Sequence, residues 1–177
     1  MRILAGLSGS LLVLALAATG CGSDEPDKES DDPASAASGD PGATVDVCTL
    51  LTPADLEAKF GSQFDDGEVT HEEGTGADQC VWTSTATGSA ETFSFTVLSQ
   101  DGLAGELEAS GMTVAELFEQ TKLAYPNAEP LELGDESYIS VKEVQVLAGD
   151  TWYSLSFHGT SGTAVDGLKE LAAQVVG

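Results

Sequence analysis

Arginine is missing from this sequence after position 2, and lysine is scarce. Six basic residues stand against 30 acidic ones, for a formal net charge of −24. With the first 20 residues set aside, five Lys and no Arg are left. Nucleic acid and anionic lipid surfaces should repel such a chain, so neither is expected as a partner. Histidine is as rare, with two in 177 residues, and no H-x-x-x-H, H-E-x-x-H or Cys/His cluster occurs. A dedicated transition-metal site therefore lacks its usual ligand spacing. No C-x-x-C poises a thiol pair for redox work. Neither G-x-S-x-G nor S-x-x-K occurs, so no motif marks a serine nucleophile. "GTSGT", Gly159 to Thr163, is too short for a phosphate cradle and lacks the P-loop lysine. It reads as a turn whose N–H groups at most receive an anion at a helix start. No cofactor is implied and no catalytic residue stands out. A triad of distant Ser, His and carboxylate residues leaves no such signature, so an envelope hydrolase or transferase stays an alternative.

Cysteine is also sparse, with three residues, and the first opens the question of location. The chain begins "MRILAGLSGSLLVLALAATGC": one cation at Arg2, an apolar run, then small residues before Cys21. That order is a secretory signal. Ala18, Thr19 and Gly20 resemble the bacterial lipobox, with Ala18 where Leu is more usual, and Cys21 is then the residue that is diacylated before cleavage. Two other readings stay open. Ile3 to Gly20 is about the shortest stretch that spans a bilayer. Ala15-Leu16-Ala17 has the A-x-A form of an ordinary cleavage site. Parity favours lipidation: an exported chain with three cysteines carries an odd thiol, whereas acylating Cys21 leaves a pair. Two acyl chains hold a protein to a membrane without basic residues.

Residues 1–20 are thus expected to be a lipoprotein signal peptide and 21–44 an acidic tether. The tether carries small, acidic and proline residues with no large apolar side chain, so it cannot offset the entropy of ordering. A flexible chain of that length spans roughly 25 to 30 Å.

Large apolar residues appear at regular spacing only over 45–177, enough for one domain with one core. "LLTPADLEAKFG" announces a helix, with Thr52 as cap, Pro53 first, Asp55 at the third position and Gly61 as stop. "MTVAELFEQTKLAYP" repeats the logic with Thr113 and Glu116, stopping by Pro126. "TAVDGLKELAAQVV" starts at Thr163 and keeps Val165, Leu168, Ala172 and Val175 on one face. Between the helices the period becomes two. Phe93, Phe95 and Val97 alternate with Thr and Ser, and Cys80 to Thr85 reads as a partner strand. "VQVLAGDTWYSLSF" reads as a hairpin around Ala148-Gly149-Asp150, joined by a shorter strand at Ser137 to Val141. The expected fold is α+β, a single domain whose antiparallel sheet of about five strands has its helices on one face. Asp65 to Glu73, which contains His71, reads as a solvated acidic loop. It lacks the alternating register of a Ca²⁺ loop, and weak cation binding there is the third functional alternative. His158 is placed just after the last strand.

With Cys21 lipidated, Cys48 and Cys80 are expected to be oxidised outside the cytoplasm. Their bridge closes a loop of about 33 residues and contributes roughly 3 to 4 kcal/mol by the chain-entropy estimate. It would join the start of the first helix to the first strand. Cys48-Thr49-Leu50-Leu51-Thr52-Pro53, the later Cys80-Val81-Trp82, and Gly134-Asp135-Glu136-Ser137-Tyr138 resemble an actinobacterial family of cell-envelope lipoproteins of unknown function. Ser137 stands where that family usually has Ala. The resemblance covers most of Asp46 to Gly177, and it implies the same disulfide and an envelope location on the outer face of the cell membrane. It implies no catalytic residue.

The remaining candidates are aromatic. Trp82, Trp152 and Tyr153 fall on expected strands, and the adjacent Trp152 and Tyr153 must point to opposite sheet faces. Whichever lies on the uncovered face offers a platform for an envelope protein or a small apolar or glycan ligand. The expected function is a membrane-anchored, non-catalytic binding or interaction module.

Overall fold

A computed structural model describes residues 46–160, 162 and 164–177. The expected signal peptide and tether, with Cys21, lie outside the described residues, as do Ser161 and Thr163. Helix α1, Pro53–Phe60, forms as its capping residues dictate. The Thr52 hydroxyl accepts from the Asp55 N–H at 3.2 Å while the Asp55 carboxylate accepts from the Thr52 N–H at 2.8 Å. The Thr52 side-chain bond, with the backbone bond behind it, holds the Asp55 carboxyl below its ordinary range. Gly61, at φ 77°, ends the helix in the left-handed region. A short helix α2, Gly105–Ala109, carries no capping side chain and was not expected. Helix α3, Val114–Lys122, closes the same box with Thr113 and Glu116. Helix α4 runs Ala164–Val176.

The sheet is antiparallel, as expected, but it has seven strands rather than about five. In chain order these are β1 Glu68–Glu72, β2 Ala77–Thr83, β3 Thr92–Ser99, β4 Glu129–Pro130, β5 Glu136–Ser140, β6 Glu143–Ala148 and β7 Thr151–His158. They lie in the order β1-β2-β3-β7-β6-β5-β4. β1 is the acidic stretch read as a loop. All five of its residues are exposed, so no buried alternation marked it. β4 is two residues long and ends on Pro130. The hairpin at Gly149 forms as read, with Ala148 paired to Thr151. His158 is the last residue of β7, not the one after it.

The second correction concerns the helices, which cover both faces. On the first face α1 and α4 lie over Trp82, Phe93, Phe95, Val144, Leu155 and Phe157. Phe60 of α1 stacks on Phe157 at 4.3 Å between ring centroids. On the second face Val114 and Phe118 of α3 pack with Leu98, Tyr138 and Leu147. The reason is in the alternation: Leu98, Leu147 and Trp152 occupy the positions that should be polar if one face were open to water. That part of the second face needs cover, and α3 supplies it.

Cys48 and Cys80 are bridged, with Cα atoms 5.2 Å apart and a separation of 32 positions in sequence. The bond ties the turn Val47–Thr49, just before α1, to β2. Gly67 lets the chain pass this point, because a Cβ there would lie 2.7 Å from both Cys80 Sγ and Trp82 Nε1. The segment Gly134 to Tyr138 also has a mechanical role. Asp135 accepts from the Gly149 N–H at 2.6 Å, and the buried Ser137 hydroxyl donates to Leu131 O at 2.9 Å. Both bonds fasten the β4–β5 connection to the sheet.

Candidate functional site

The second face changes character across its width. Leu98 pairs with Trp152, and Trp152 with Leu147, so these three form an apolar row beneath α3. The next row is polar: Gln79 opposite Thr96, Thr96 opposite Ser154, and Ser154 opposite Gln145. Beyond it lies a row of Ser94, Ser156 and Glu143. α3 packs over the apolar row and over Tyr138, which ends the polar row opposite Gln145, while Thr96 and Ser154 line the space beside the helix. Between the helix and the sheet there is a groove of about 330 Å³. Its apolar side includes Leu98, Leu117 and Trp152, and its polar side Thr96, Thr121 and Ser154.

The floor is held by side-chain hydrogen bonds. Trp152 Nε1 donates to Gln145 Oε1 at 2.6 Å, and Gln145 Nε2 donates to Ser154 Oγ at 2.9 Å and to Glu143. Gln79 Nε2 donates to Thr96 Oγ1 at 3.0 Å. Phe118 meets Trp152 edge-on, with centroids 6.0 Å apart and planes at 88°. Gln145 is only 2 % exposed, so its amide is a buried polar group with its bonds made inside the protein. The indole is held in one orientation by these contacts, a preorganisation that lowers the entropic cost of any contact it makes.

Two carboxylates reach the groove, Glu72 and Glu143. Glu72 accepts from the Thr75 hydroxyl at 2.9 Å and Glu143 from the Tyr125 hydroxyl at 3.1 Å. Among the described residues neither is ion-paired. The lysine nearest in chain position on α3, Lys122, is committed elsewhere: it bonds Glu136 and lies 3.9 Å from Glu119. Its bond to Glu136 raises the Lys122 ammonium above its ordinary value and lowers the Glu136 carboxyl. Beside them burial drives the Tyr138 hydroxyl well above its ordinary range, with the nearby Tyr125 and Glu143 adding to the effect, so it stays neutral. That hydroxyl has no hydrogen-bond partner among the described residues.

The three aromatic candidates are separated. Trp82 is fully buried on the first face, 5.5 Å from Phe93, and is closed to any ligand. Tyr153 packs on that same face, parallel to Phe95 at 6.3 Å. Trp152 alone lies on the groove. Gln145, Glu143 and the hydroxyl row were not singled out from sequence, and Glu72 was read only as part of the acidic stretch Asp65 to Glu73. The signal that places Gln145 is its period-two position between Val144 and Val146, which only the pairing of β6 with β7 turns toward Trp152.

The histidines are apart from the groove. His71 Nδ1 is 2.7 Å from Asp78 Oδ1 on the β1 edge. His158 shares a second cavity of about 520 Å³ with Ser140, Glu143 and Ser156. Among the described residues no hydrogen bond joins these side chains to His158, so no Ser-His-carboxylate relay is assembled there. Among the described residues no group of three His, Cys, Asp or Glu side chains is placed to hold a metal ion. No described helix is long and apolar enough to cross a membrane. Comparison with protein-family models, curated proteins and solved structures finds no match to this chain.

Proposed function

We propose that this chain is a lipid-anchored protein of the outer membrane face that presents a non-catalytic binding module, and that the module takes a small ligand in the groove beneath α3. The observation that carries the reading is Trp152: a half-buried indole, held by Gln145 and Phe118, that forms one wall of an open groove. A side chain fixed in that way at the edge of the cover that α3 provides offers an apolar surface ringed by hydroxyls, the usual make-up of a small-molecule site. The anchor rests on the signal layout and on cysteine parity. The Cys48–Cys80 bridge supports export, since such bonds persist outside the reducing cytoplasm.

Two measurements test the two halves. Mass spectrometry of the mature N-terminus is expected to find a diacylated Cys21; an unmodified terminus after Ala17 removes the anchor. Titration of the purified full chain with envelope glycans, lipids and amines, followed by tryptophan fluorescence, is expected to shift Trp152 emission. A Trp152→Phe variant should lose the response, and a response carried by Trp82 would overturn the groove as the site.

A further inference from the structure

We infer that the groove selects a linear, positively charged amine with an aliphatic body, a polyamine in chemical class; this rests on the groove being the binding site. Three observations point there. The groove has a carboxylate toward each end and no cation in its lining. Glu72 stands on β1 and Glu143 on β6, with β2, β3 and β7 between them. Four strand spacings place their backbones roughly 19 Å apart across the sheet. Between them lie Leu98, Leu117 and Trp152, which suit methylene groups, while Thr96, Thr121 and Ser154 can accept from an intervening ammonium.

Among the described residues neither carboxylate is ion-paired, and Lys142, which lines the second cavity with Glu143, donates instead to Gly159 O. Glu143 is half-buried, and its hydrogen-bond donors among the described residues, Tyr125 and Gln145, are neutral. A carboxylate drawn out of water without a counter-charge gains from a cation that supplies one. The indole face of Trp152 adds attraction for an ammonium or the methylenes beside it. A neutral sugar would leave both carboxylates without a counter-charge, and an anionic ligand would meet two of them.

Spermidine is the probe, added to the full chain in detergent and read by tryptophan fluorescence and calorimetry. Because so acidic a protein attracts polycations everywhere, position has to be tested and not charge alone. Glu72→Gln with Glu143→Gln is expected to weaken binding about tenfold, two modest ion pairs' worth. Glu57→Gln with Asp166→Asn, which removes two exposed charges from α1 and α4 over the other face of the sheet, should leave it unchanged. A monoamine of similar length should bind more weakly than spermidine, and about 1 M salt, with a screening length near 3 Å, should weaken both. Equal losses in the two double variants, or none in the first, would overturn the proposal in favour of diffuse attraction. Tighter binding of a neutral oligosaccharide at Trp152 would overturn the amine while leaving the binding module standing. Silence with every probe would remove both. Circular dichroism of each variant separates a lost site from a lost fold.

Discussion

Val141 sits at φ 53° and is 86 % exposed in the two-residue turn that joins β5 to β6. A β-branched residue in the left-handed region is strained by roughly 1–2 kcal/mol, and tight hairpins ordinarily place Gly, Asn or Asp there. Gly149, at φ 57°, meets the same demand in the next hairpin without strain. Replacing Val141 by Asn is therefore expected to raise stability by about 1 kcal/mol, because no buried contact is lost. Urea unfolding reads this directly, and an unchanged or lower midpoint would mean that the turn is relaxed with valine in it. The second cavity opens beside this residue, so strain is concentrated at the rim of an opening and not in the core. At this scale the alternation rule correctly separated Trp152 from Tyr153, because adjacent side chains of a strand must face opposite ways. It had no means of telling which of the two would remain open. That depended on α3, which is distant in sequence.

Among the elements, those with local punctuation were legible. α1 and α3 could be read from Thr52-Pro53 and Thr113-Glu116, since a capping box is satisfied within four residues and needs nothing from the rest of the chain. β1 could not, because an exposed edge strand carries no apolar alternation and is defined only by its bonds to β2. Gly167 is a case where local propensity points the wrong way. In the middle of α4 a glycine costs about 1 kcal/mol against alanine, so Gly167→Ala looks stabilising from sequence. In the fold its Cα is pressed on α1: a Cβ would come within 2.9 Å of Phe60 Cε1 and 3.2 Å of Lys59 Cβ. Phe60 cannot retreat, since it is stacked on Phe157. Overpacking of this kind typically costs 1–3 kcal/mol, so Gly167→Ala is expected to lose about 1 kcal/mol net. A thermal melt that rises in this variant would show that α1 and α4 can separate freely.

For the molecule as a whole, the bridge and the charge act in opposite directions. The formal charge of −24 makes the compact state repel itself, most strongly at low salt. The Cys48–Cys80 bond removes disorder from the unfolded chain and joins the turn before α1 to the sheet. A Cys48→Ala, Cys80→Ala double variant is expected to lose about 3–4 kcal/mol in denaturant unfolding. Part of that loss should be recovered at high ionic strength, where the repulsion is screened. A variant with unchanged stability at both salt levels would mean that the bond stabilises nothing.

What the sequence determined by itself was whatever is settled within a few residues: the capped helices, the central alternating strands and the hairpin at Gly149. What only the tertiary structure decided was the distribution of cover over the sheet. The long-range pairing of β3 with β7 joins the two halves of the sheet and α3 packs over the joint, and this brings Glu72, Gln145, Glu143 and Trp152 to one groove from positions up to 80 residues apart in the chain. The physical reason is that a strand's periodicity sorts its side chains into two sets without saying which set is left in water. That choice belongs to whichever helix buries the most apolar surface against the sheet, and it is made only when the chain closes on itself.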